Sequence, residues 1–102
     1  MEKDFIFRSH DCIHVNRHFL RYFGLYAGCL LALIIQRDQF TDGIISITPE
    51  EIEQELTLTP RQQKAAFKIL TRFKIIETDW TKLKIDYRTL LSFLLEKRRT
   101  ER

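Results

Sequence analysis

A chain of 102 residues is long enough for one domain with a core and too short for two independent ones. Hydrophobic residues make up 44%, with eight Phe, three Tyr and one Trp as bulky core material, so wholesale disorder is excluded. The net charge of +3, from 17 Lys and Arg against 14 Asp and Glu, is too small to argue for a polyanionic partner by itself. Such an argument has to rest on where the charges lie.

Taken in chain order, Phe5-Ile6-Phe7 reads as a short strand that would add an edge to a small sheet. Residues 9–15 are ambiguous between a helical turn and a loop. Asn16 suits the N-cap of a helix carrying Phe19, Leu20 and Phe23, and Gly24 interrupts it. From Leu25 to Ile35 every residue but Gly28 is apolar, which marks a central helix covered on all sides or part of a subunit interface. The whole apolar stretch, residues 19–35, is seventeen long, is interrupted by Arg21 and Gly24, and falls short of the ~20 residues a membrane span needs. A core helix is expected there, and no membrane association. Cys12 and Cys29 form no disulfide pattern and no secretory signal is visible, so a cytoplasmic location is expected.

Thr41-Asp42-Gly43 is turn chemistry, and Ile44 to Ile47 reads as a brief strand. Then one helix-start signal is written twice, eleven residues apart: Thr48-Pro49-Glu50-Glu51 and Thr59-Pro60-Arg61-Gln62. In each, Thr can cap, Pro suits the first helical position, and Glu51 or Gln62 can complete a capping box. The result is a helix at 49–56, a turn of about three residues and a helix at 60–73, the form of a helix-turn-helix. Beyond it, residues 75–80 and 83–87 read as two strands with a tight turn at 80–82. Residues 87–98 read as a helix with Leu90, Leu91, Leu94 and Leu95 at helical spacing and basic residues at its end. No internal repeat and no linker is visible. The expected class is mainly α with a small antiparallel sheet (α+β): a single winged helix-turn-helix domain over residues 1–102, with the helix pair at 48–73, the hairpin or wing at 75–86 and the last helix at 87–98.

Charge is divided across the helix pair. The first helix carries Glu50, Glu51, Glu53 and Glu55 and no basic residue; the second carries Arg61, Lys64, Lys68 and Arg72 and no acidic one. At about 100° per residue, Ala66, Ile69, Leu70 and Phe73 share one side of the second helix and the four cations nearly the opposite side. In a DNA groove, Arg61 and Lys64 would meet base edges and Lys68 and Arg72 phosphates, with Gln63 and Thr71 flanking them. Lys82 and Lys84 on the hairpin are further candidates for phosphate. A basic stripe alone is usually a solvated face; its place on the second helix of such a pair turns the expectation to double-stranded DNA.

The runs Leu56-Thr57-Leu58-Thr59-Pro60-Arg61-Gln62-Gln63 and Leu70-Thr71-Arg72-Phe73-Lys74-Ile75-Ile76-Glu77 resemble the winged-helix domains of bacterial, phage and plasmid replication-initiation proteins and related transcriptional regulators. Ile85-Asp86-Tyr87 leading into a leucine-rich helix is similar as well. The resemblance implies DNA binding in replication or transcription, no catalysis and no cofactor. Two positions depart from it. Thr57 stands where such turns usually have glycine, and Lys74 where glycine usually ends the second helix. A left-handed backbone at either would cost a non-glycine residue about 1 kcal/mol.

Other readings carry less. His10, His14 and His18 recur every four residues beside Asp11 and Cys12, but their spacing matches no metal signature and Asn16 starts a helix among them, so no metal site is expected. No phosphate loop or nucleophile elbow is present, and the chain is not read as an enzyme. The leucine stripe either packs on the helix at 25–35 or pairs with its twin in a homodimer. The alternative to DNA binding is an adaptor that engages a protein through the acidic helix or the leucine-rich end.

Overall fold

The structure, a computed structural model, describes residues 13–39, 43–79 and 82–100. The strand expected at 5–7, the histidine group's His10, Asp11 and Cys12, and Trp80 lie outside the described residues. Within them the protein has five helices and a three-stranded antiparallel sheet, the α+β class expected.

Helix α1 spans Arg17–Phe23. Asn16 caps it, its Oδ1 accepting from the His18 N–H at 2.9 Å. Gly24 ends it at φ +89°, where any L side chain is strained, and its N–H still reaches the Leu20 carbonyl at 3.0 Å. The chain reverses there into α2, Leu25–Asp38. Gly28 lies where α2 meets α1: a Cβ at this position would stand 3.0 Å from the Leu20 backbone nitrogen. Hydrogen there lets the two backbones touch.

Ala27, Leu30, Leu31, Leu33 and Ile34 of α2 are all at most 1% exposed. The apolar run is therefore the central helix of the domain, with each buried Leu or Ile contributing about 1.5–3 kcal/mol of burial. No helix among the described residues is long and apolar enough to cross a membrane.

Strand β1 is only Ile45–Ser46. Helices α3, Pro49–Leu56, and α4, Pro60–Arg72, come next, then β2, Ile76–Asp79, and β3, Lys82–Ile85. The sheet order is β1-β3-β2, so the strand preceding the helix pair lies against the hairpin beyond it. Ile45 faces Leu83 in register and Ile76 faces Ile85, and all four are buried. Glu77 faces Lys84 on the solvent side. The period-two alternation of β3 accounts for this division: Leu83 and Ile85 point in, Lys82 and Lys84 out.

Asp86 links hairpin and last helix. Its N–H donates to the Ile75 carbonyl at 2.8 Å, and its Oδ1 accepts from the Thr89 N–H at 3.1 Å, capping α5, Tyr87–Thr100. That backbone bond holds the Asp86 carboxyl below its ordinary pKa. The Tyr87 hydroxyl donates to Asp38 Oδ2 at 2.5 Å, tying α5 to the end of α2. Burial first, then the bond to Asp38 and its charge, push Tyr87 up to about 12.

One side of the leucine-rich helix packs within the chain. Leu90 is buried and Leu94 half-buried, while Phe93 stacks on Phe23 at 5.1 Å and meets Phe73 at 5.0 Å. α5 is thus seated on α1 and the end of α4 by an aromatic cluster that the leucine spacing did not reveal. Leu91 and Leu95 point to solvent.

Candidate nucleic-acid interface

The two Thr-Pro signals become two capped helices. Thr48 Oγ1 accepts from the Glu51 N–H at 3.2 Å, and Thr59 Oγ1 from the Gln62 N–H at 3.3 Å. At α4 the box closes, because Gln62 Oε1 accepts from the Thr59 N–H at 2.9 Å. For α3 the structure gives only the threonine half of the box.

Both departures from glycine are left-handed: Thr57 at φ 58° and Lys74 at φ 59°. Thr57 ends α3 with its N–H on the Glu53 carbonyl at 2.8 Å. Lys74 ends α4 in a Schellman motif, its N–H on the Thr71 carbonyl and the Ile75 N–H on the Leu70 carbonyl at 3.1 Å. The strain is held by apolar residues packed at each turn. Leu58 is buried beside Thr57, and Leu70 and Ile75 are both fully buried around Lys74. Either contact outweighs about 1 kcal/mol of left-handed strain.

Gln63 does not lie on the exposed basic face of α4. It is 4% exposed, and its Nε2 donates to the Pro49 carbonyl at 3.1 Å and to the Leu58 carbonyl at 3.0 Å. It clamps α4 to the start of α3 and to the turn between them, with both amide hydrogens committed. The sequence pattern placed it beside the basic face; at about 200° from Arg61 on the helix it falls instead next to Leu70, on the buried side.

Arg61, Lys64, Lys68 and Arg72 are all exposed, within an arc of about 80° and opposite buried Leu70 and Ala66. None makes an ion pair with a described residue. Thr71 is exposed at one edge of this arc, where it lines a groove of about 330 Å³ with Phe67, Ile52, Thr78 and Leu83. That groove runs between α4 and the Thr78–Leu83 pair of the hairpin. At the other edge stands Tyr26 of α2, whose hydroxyl accepts from Gln62 Nε2 at 3.0 Å. Tyr26 is thirty-six residues from Gln62, so no local signal could have shown it at this border.

The hairpin cations differ from those of α4. Lys84 stands opposite exposed Glu77 in register, which reduces the positive field it can offer. The acidic helix α3 turns Glu51 toward α2, where its Oε2 meets Arg37 Nη1 at 3.1 Å. Glu50, Glu53 and Glu55 are exposed. Among the described residues no group of three His, Cys, Asp or Glu is placed to hold a metal, and His18 stacks on Tyr22 at 5.8 Å.

Compared with known proteins, the chain matches no protein-family model, no curated protein and no solved structure.

Proposed function

We propose that this protein is a winged helix-turn-helix that binds double-stranded DNA with α4 as its recognition helix, in replication initiation or transcriptional regulation. The observation that carries this reading is the row Arg61, Lys64, Lys68 and Arg72, exposed and unpaired among the described residues, on the second of two capped helices and opposite that helix's buried side. Long cations in such a row suit a helix lying in a major groove, where its first turns approach base edges and later turns approach phosphates. The order of the sheet supports it further, since a strand before the helix pair and a hairpin after it form one small sheet beside α4. In this reading Arg61 and Lys64 read bases, Lys68, Arg72 and Thr71 meet the backbone, and Lys82 and Lys84 contribute weakly.

The test is duplex binding by the Lys64→Ala/Lys68→Ala variant across a salt series. Each phosphate contact adds roughly 0.9 to the slope of log affinity against log salt, so the variant should lose about 1 from that slope through Lys68 and further affinity through Lys64. Both side chains are exposed, so the melting temperature should hold. Unchanged affinity and slope would overturn the proposal. A second reading, a protein-interaction adaptor, draws on the exposed Glu50, Glu53 and Glu55 of α3. Wild-type protein showing no salt-sensitive binding to any duplex would favour it.

A further inference from the structure

We propose that α5 is the interface of a symmetric dimer, in which a second copy of this chain lies antiparallel across its outer face. Leu91 and Leu95 are 58% and 54% exposed, and Tyr87, one turn before Leu91, is 46% exposed. They recur at intervals of four on a helix whose other side is fixed by Leu90, Phe93 and Leu94. Those inward anchors hold the outer leucines in water, and a second apolar surface is what removes them from it.

The charges on this face identify the second surface as the same face of another copy. At about 100° per residue, Arg88, Ser92 and Glu96 run beside the two leucines, and all three are exposed. Arg88 lies one turn before Ser92 and Glu96 one turn after it. An antiparallel copy related by a two-fold axis beside Ser92 therefore sets Arg88 level with Glu96 of the second copy, and symmetry repeats the pair. A parallel copy would set Arg88 against Arg88 and Glu96 against Glu96. Neither residue makes an ion pair with a described residue within the chain. Ser92 is small enough to let the two helices approach at the crossing, with Leu91 and Leu95 of each copy closing on either side. One helix face is less than the ~800 Å² each partner gives to a standard interface, so the dimer is a concentration-dependent one. The inference does not depend on DNA binding.

Sedimentation of the full chain over a wide concentration range tests it. The expected mass rises from 12.3 kDa toward twice that value. Leu91→Glu/Leu95→Glu should stay monomeric throughout with an unchanged circular dichroism spectrum and melting temperature. Arg88→Glu and Glu96→Arg should each weaken association at least severalfold, and the two combined in one chain should restore it, because the pairs re-form with reversed sign. Wild type that stays at 12.3 kDa at the highest concentration overturns the proposal. So does dimerisation that survives in the double leucine variant, or charge reversal that fails to restore association lost in both single variants.

Discussion

Replacing Gln63 with alanine separates the two places this residue could occupy, the DNA face or the joint between α3 and α4. Two hydrogen bonds disappear, to the Pro49 and Leu58 carbonyls, each worth about 1 kcal/mol net. The lost side chain also leaves a small void beside Leu58 and Leu70, and at about 0.8 kcal/mol per buried methylene this adds roughly 1 kcal/mol more. The total, about 3 kcal/mol, is a large share of the roughly 5–15 kcal/mol that holds such a domain together. At about 4–8 °C per kcal/mol for chains of this size, the melting temperature should fall by on the order of 15 °C. Urea and thermal unfolding followed by circular dichroism would read it, with Lys64→Ala as an exposed comparator expected within about 0.5 kcal/mol of wild type. A Gln63→Ala protein as stable as wild type, with duplex binding lost, would refute the reasoning and put the side chain on the groove.

Thr57→Gly and Lys74→Gly each release a left-handed strain of about 1 kcal/mol, partly offset by the added freedom of glycine in the unfolded chain. Each should raise stability in urea by about 0.5 kcal/mol, and a loss of stability in both would show that the turns are not strained. Tyr87 should titrate near pH 12, read as the difference in tyrosinate absorbance between wild type and Tyr87→Phe after a rapid pH jump. Its pKa is raised in the folded state, so its contribution to stability is fully present below the ordinary value of 10.0 and is lost as pH rises through about 12. Asp38→Asn should move the midpoint down; a midpoint already at the ordinary value in wild type would contradict the Tyr87 to Asp38 hydrogen bond.

Where this chain starts and stops its elements is written locally. Asn16, Thr48 and Thr59 cap helices because a side-chain oxygen two or three residues away meets a free backbone N–H, and Pro49 and Pro60 fit the first helical turn. The alternation of Leu83 and Ile85 with Lys82 and Lys84 likewise assigns the faces of β3 without reference to distant residues. The four exposed cations of α4 were legible for the same reason, since a helix face is set by spacing alone.

Tertiary structure decided what spacing leaves open, namely which edge of a face is wet. Helical spacing already sets Gln63 on the side of Leu70, and the folded chain adds the two carbonyls, one on α3 and one in the turn, that commit its amide there. Leu91 and Leu95 remain outside because Phe93, meeting Phe23 and Phe73 from far along the chain, sets the rotation of α5. Thr57 and Lys74 show the same competition in the backbone: local preference asked for glycine, and the burial of Leu58, Leu70 and Ile75 held a left-handed turn without it. Caps and turns draw on partners a few residues away, whereas these outcomes draw on partners that only the folded chain brings together.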